Sequence, residues 1–245
     1  MVQKIIILLL TTLTLNAQTA LEIIEKAEDN FRGTSNIAEV KMTIERPKWT
    51  REMTMKSWTV GEEYALILVQ GPVRDKGTAF LKKEKEMWNW VPNIEKVIKL
   101  PPSMMMQSWM GSDFTNDDLV QNSSIINDYT HEIIGEETVG EYVCYKLQLT
   151  PKPEAPVVWG KVVSWISKEG YLQLKTEFYD EDEYLINRME ASQVKEMDGR
   201  TIPTKMTITP VEDEGNRTTI EYLSMDFDVE IDPAIFSIQH MKRLR

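Results

Sequence analysis

The stretch Glu39-Val-Lys-Met-Thr-Ile-Glu45 decides the fold class, because Val40, Met42 and Ile44 alternate with Glu39, Lys41, Thr43 and Glu45. A period of two is the mark of a strand with one buried and one solvated face. The same rhythm recurs outward from this stretch. Met53 and Met55 alternate with Glu52, Thr54 and Lys56, and Leu66 and Leu68 sit in a more continuous apolar run. Val143, Tyr145, Leu147 and Leu149 repeat the pattern, as do Leu172, Leu174 and Phe178, and then Leu223, Met225 and Phe227. Gly61, Gly140, Gly170, Gly199 and Gly215 punctuate these runs as turn signals. No helical stretches separate the strands as a parallel sheet would require, so an antiparallel sheet is expected.

One helix precedes the strands. Thr19 and Glu22 have the spacing of a capping box, Leu21, Ile24, Ala27 and Phe31 follow at helical spacing, and Gly33 is the stop. Before it, Lys4, the apolar run from Ile5 to Leu15 and the small Ala17 form the pattern of a secretory signal peptide. The reading is therefore a signal over 1–17 and a single exported domain over 18–245. The run is too short to span a bilayer, which takes about 20 residues.

Composition narrows the function. The chain has 245 residues, with 28 Lys and Arg against 39 Asp and Glu, a net charge of −11. An acidic chain is a poor partner for nucleic acid, whose phosphates call for clustered cations. One cysteine, Cys144, excludes an internal disulfide framework and reads as a small core residue. Only two histidines are present, and no nucleophile elbow, HExxH or Gly-rich phosphate loop occurs. No catalytic residue, metal or cofactor is expected. Asp113, Asp117 and Asp118 form the densest acidic group near apolar residues; Asp113 and Asp117 read as helix caps, with a calcium or acid–base site as the alternative. The basic end from His240 to Arg245 reads as a solvated tail.

The informative segment is apolar. Pro101 to Gly111 holds four methionines and Trp109. If Ser103 caps a helix, Met106, Trp109 and Met110 share one face. That helix would either plug the open side of the sheet or act as a movable lid over a cavity. Methionine suits a cavity whose ligand varies in shape. The candidate cavity or lid residues are Met42, Met53, Met55, Leu66, Leu68, Met106, Trp109, Met110, Leu172, Leu174, Phe178 and Met225.

Several motifs carry a family resemblance. They are Gly71-Pro-Val-Arg-Asp-Lys-Gly-Thr-Ala-Phe-Leu81, Met87-Trp-Asn-Trp-Val-Pro92 with Lys96, and Ser108-Trp-Met-Gly-Ser-Asp-Phe-Thr-Asn-Asp-Asp-Leu119. Asp198-Gly-Arg-Thr-Ile-Pro203 and Ile231-Asp-Pro-Ala-Ile-Phe-Ser237 follow. Together they resemble the outer membrane lipoprotein-sorting proteins, relatives of the carrier LolA. The resemblance implies a mainly β fold, a strongly curved antiparallel sheet forming an incomplete barrel, closed by short helices over an apolar cavity. It implies a periplasmic, non-enzymatic carrier of lipoprotein acyl chains or other lipids, with an inner-membrane transporter or outer-membrane acceptor as partner. An exported scaffold docking on a membrane transporter is the alternative. Such carriers hold the lid with an arginine after an early strand. The comparable stretch here, Thr59-Val-Gly-Glu-Glu63, has none. Lys76, Asp113 and Asp117 of the motifs read as residues that hold the fold together.

Overall fold

The computed structural model describes residues 18–120, 124–153, 155 and 157–244. Residues 1–17, read above as a signal peptide, lie outside them.

The first element is α1, Ala20–Arg32, and its start is fixed as the sequence implies. The Thr19 hydroxyl accepts from the Glu22 N–H at 3.2 Å, and the Glu22 carboxylate accepts from the Thr19 N–H at 2.9 Å. Gly33 ends the helix at φ +61, a conformation that favours glycine. The buried stripe is Ala20, Ile23, Ile24 and Ala27, while Leu21 is exposed, so the apolar face is rotated from the one expected.

Among the described residues thirteen strands follow: β1 Ser35–Arg46, β2 Trp49–Val60, β3 Tyr64–Gly71, β4 Ala79–Lys83, β5 Glu86–Val91, β6 Lys96–Lys99, β7 Tyr129–Val139, β8 Tyr142–Pro151, β9 Lys161–Ser167, β10 Gln173–Tyr179, β11 Leu185–Met197, β12 Arg200–Pro210 and β13 Arg217–Phe227. All pair antiparallel in one sheet ordered β6-β5-β4-β3-β2-β1-β13-β12-β11-β10-β9-β8-β7. Two meanders are thus joined where the first strand meets the last. The sheet does not close, and β6 and β7 are its edges. Laid flat, thirteen strands would span roughly 60 Å. Instead Met55 of β2, Ile67 of β3, Leu149 of β8 and Val162 of β9 line one cavity, so the sheet wraps into an incomplete barrel.

Two short helices complete the fold: α2, Asn116–Val120, inside the barrel, and α3, Ile238–Met241, near the end of the chain. The segment from Ile231 to Leu244 packs on the outer face of β3 to β5. There Phe236 and Met241 cover Leu66, Leu68, Leu81 and Trp90. The expected solvated tail is therefore a structural cover, and Met241 is fully buried.

Three placements differ from the sequence reading. Leu66 and Leu68 point outward to that cover, while Ala65 and Ile67 face the cavity. A continuous apolar run is buried on both faces, so its period cannot say which residues point in. Leu174 also lies outside, in a small cluster with Cys144, Val163 and Trp165. The pairing register shifts between Gln173 and Lys175, so the strand changes phase there and Thr176 and Phe178 face in. Likewise β13 bulges opposite Glu39 and Val40, which leaves Leu223 exposed and turns Tyr222 inward.

Candidate ligand-binding cavity

The interior of the barrel holds a cavity of about 270 Å³. Its deep wall is apolar and rich in methionine: Met55, Met189, Met206 and Met225 stand among Val40, Ile208 and Ile220. On the other side Trp159 and Phe178 meet with ring centroids 5.1 Å apart. Trp159 is aimed by its neighbour Gly160, where an added Cβ would sit 2.4 Å from the Asp180 carbonyl oxygen. Only glycine lets the two backbones come that close.

The rim comes from α1 and from the turn between β2 and β3. Ala27, Phe31 and Arg32 face Gly61, Glu62 and Tyr64 across it. α1 is held there by the Asn30 amide, which donates to the Gly170 carbonyl at 3.2 Å and the Thr201 carbonyl at 3.1 Å. Arg32 pairs with Glu28 one turn back at 2.6 Å.

The other side of the interior carries buried polar groups. Asp118 caps α2: its carboxylate accepts from the Thr115 N–H at 2.7 Å, and the Thr115 hydroxyl accepts from the Asp118 N–H at 3.1 Å. Burial pushes its carboxyl up to about 6, against the pull of these hydrogen bonds. Tyr129 is raised above the usual phenol range, first by burial and then by the nearby Asp117, Asp128 and Asp118. Lys82 is held down at about 8, by burial and by Arg32. The capping carboxylate is thus Asp118, whereas Asp113, read as a cap from the sequence, pairs with Arg46 instead. Among the described residues no three His, Cys, Asp or Glu side chains converge to hold a metal ion.

The methionine-rich segment folds differently from the expected helix. A single 3₁₀ turn covers Pro102–Met104, and the chain then forms tight turns that fill the barrel beside β4 and β5. Trp109 is fully buried and packs on Phe80 at 5.0 Å between ring centroids. Met105 is buried and Met110 half-buried, but Met106 is 65% exposed. Met106, Trp109 and Met110 therefore do not share a face. The segment is a plug.

Two arginines from the ends of β1 and β2 fasten it. Arg46 forms a two-pronged pair with Asp113 and donates to the Gly111 carbonyl at 2.9 Å. Asp113 also accepts from the Thr218 hydroxyl at 2.6 Å. Arg51 donates to the Met110 carbonyl at 3.1 Å and pairs with Asp75 at 2.7 Å. The segment 59–63 indeed lacks an arginine, but the fastening is made from another hairpin, between β1 and β2.

Of the twelve candidates, Met55, Leu172, Phe178 and Met225 line the cavity. Met42, Met53 and Trp109 belong to the surrounding core, against which Met110 packs. Leu66, Leu68 and Leu174 are on the outer face, and Met106 faces solvent. The sequence reading missed Met189, Met206 and Trp159. Met206 and Ile208 alternate with Lys205 and Thr207 and could have been found by period. Trp159 precedes β9 in a loop, where no period exists to betray it.

Solved structures share this open, single-sheet architecture. The chain is similar to a domain described as an outer membrane lipoprotein-sorting protein from Vibrio parahaemolyticus, at TM-score 0.81 and 22% identity over 91% of this chain and 98% of that one. It is similar to a DUF1329 family protein from Desulfovibrio piger, at TM-score 0.83 and 24% identity over 91% and 97%. A LolA superfamily protein from Nitrosomonas europaea matches at TM-score 0.79 and 21% identity over 91% and 100%. These are likenesses of fold. A family model described as an uncharacterized protein matches residues 61–243, about three quarters of the chain, and the chain belongs to that family. No curated protein matches the sequence.

Proposed function

We propose that this protein is an exported, non-enzymatic carrier that takes up a lipid acyl chain in the barrel cavity and delivers it to another site. The observation that carries the reading is the cavity itself, walled by Met55, Met189, Met206 and Met225 and rimmed by α1. The lipoprotein-sorting fold of its structural neighbours supports it. Each buried methylene favours transfer from water by about 0.8 kcal/mol, so a chain of sixteen carbons gains on the order of 10 kcal/mol. A carrier must match a membrane in this respect and still let go. Flexible methionine walls fit a chain without a single rigid register.

The volume, about 270 Å³, is at the lower bound of small-ligand sites and suits one chain rather than several. Residues 1–17 would act as the export signal, and 18–245 as one domain working in the periplasm. A membrane transporter as donor and an outer-membrane acceptor complete the scheme. Among the described residues no helix is long and apolar enough to cross a membrane.

Native mass spectrometry of the protein purified from its own periplasm, followed by lipid extraction, tests the proposal. Bound acyl lipid supports it. A protein that carries none, and takes up no fluorescent fatty acid after delipidation, overturns it.

A further inference from the structure

The cavity wall also carries polar side chains, Asp117 and Asp118 on one side and a group on β9 and β10 on another. Ser164 of β9 and Thr176 of β10 stand directly opposite each other and face inward with Gln173. The Gln173 side-chain amide donates to the Thr176 hydroxyl at 2.8 Å and to the Ser164 hydroxyl at 3.2 Å. The two hydroxyl oxygens are 3.4 Å apart. Both residues are shut off from bulk water, at 2% and 1% exposure.

The hydrogen count of this trio depends on how the Gln173 amide is turned. The amide brings two and the hydroxyls one each. Both amide hydrogens go to the hydroxyl oxygens, and one hydroxyl donates to the other. With the amide turned this way one hydroxyl hydrogen is left to point into the cavity, whose wall both residues form. Buried donors are nearly always satisfied, so a surplus donor facing a cavity asks for an oxygen from whatever occupies it.

The position is informative too. On the rim side of the trio is Tyr171, with the Lys26 ammonium 4.9 Å from its ring centroid. On the inner side are Val162, Phe178 and Trp159. The trio therefore lies between the end of the strands near α1 and the Trp159–Phe178 pair.

We propose that Ser164, Thr176 and Gln173 bind the carbonyl oxygen of an acyl lipid whose alkyl chain lies over Val162, Phe178 and Trp159. This rests on the carrier reading and adds a polar anchor to it. The oxygen could belong to an ester or to a free carboxyl group, and the test separates them.

The full chain is loaded with a fluorescent cavity probe, 1-anilinonaphthalene-8-sulfonate, and titrated with undecane, methyl decanoate and decanoate. Each ligand's affinity for the parent protein is its own reference, because an oxygenated ligand gives up water hydrogen bonds that undecane never makes; the anchor contributes about five-fold to an oxygenated ligand, the value of one hydrogen bond. Thr176→Val, nearly the same shape, should weaken that ligand about five-fold and leave undecane unchanged. The oxygenated ligand that loses affinity names the source. Gln173→Leu, at the half-buried edge of the trio, repeats the measurement should the first variant not fold. Equal effects on all three ligands, or no effect on either oxygenated one, overturn the anchor while leaving the carrier. Failure of every ligand to displace the probe overturns both.

Discussion

Arg46 and Asp113 meet fork to fork, with Nη1 3.0 Å from Oδ2 and Nη2 3.0 Å from Oδ1. Their side chains are only 14% and 7% exposed, so this is a buried pair whose halves depend on each other. Removing one half of such a pair costs about 3–5 kcal/mol, because the other is left buried and uncompensated. Asp113→Ala is expected to lower stability to urea by about 3 kcal/mol and to speed amide exchange across residues 109–114. Glu45→Ala, which breaks the exposed pair with Arg217, should change little. Equal effects of the two substitutions would contradict the fastening role.

Trp109 and Met106 lie three residues apart and should respond in opposite ways. Trp109→Ala empties a fully buried site against Phe80 and should cost about 3–5 kcal/mol. Trp109→Phe should cost only about 1–2 kcal/mol, since the indole N–H makes no hydrogen bond among the described residues. Met106→Asp, on an exposed side chain, should leave the melting curve unmoved. Thermal unfolding of the three variants decides the matter.

Asp118 links stability to pH. Its carboxyl is raised from 3.8 to about 6 in the folded protein. Between these values the unfolded chain has released the proton and the folded chain still holds it. Stability is therefore expected to fall as pH rises from about 4 to 6, by on the order of 3 kcal/mol, and to level off above. Asp118→Asn removes the titration while keeping an acceptor for the Thr115 N–H. The difference between urea stabilities of the two proteins, followed from pH 3.5 to 8, should carry this slope. A flat difference would show that Asp118 titrates normally.

Filling the cavity separates ligand binding from folding. Ala65 faces the cavity from β3, and Phe at this position would project into the empty space. Ala65→Phe should cut fatty-acid uptake at least ten-fold with stability within about 1 kcal/mol of the parent. Leu68→Ala, on the outer face under Phe236, should do the reverse: a loss of about 2–4 kcal/mol with binding unchanged.

The strands and their antiparallel pairing were legible because a sheet with one wet face must alternate, as Val40, Met42 and Ile44 do. The helix start was legible because Thr19 and Glu22 satisfy each other locally. Faces were lost where that logic lapses. In β3 the C-terminal segment covers the outer side, so Leu66 and Ile67 are both buried and period carries no sign. At Leu174 and Leu223 one extra residue inverts the phase, and nothing local marks a bulge. The plug was misread as a helix because its apolar residues are dense. Its shape depends on Arg46 and Thr218, which are 67 and 105 residues from Asp113 in the chain.

The pairing of β1 with β13 has a kinetic consequence. Every other neighbour in the sheet is also a neighbour in sequence, so each meander can zip up from local turns. The central seam is different, since Asn36 must find Phe227 across nearly the whole chain. Closing so long a loop is slow compared with hairpin formation. A chain emerging amino end first would hold one edge of β1 without its partner until the last strand arrives. During that interval the unpaired edge of β1, with Val40, Met42 and Ile44 beside it, is open to any other chain. The seam that makes the barrel continuous is thus also the place where its assembly is most exposed to aggregation.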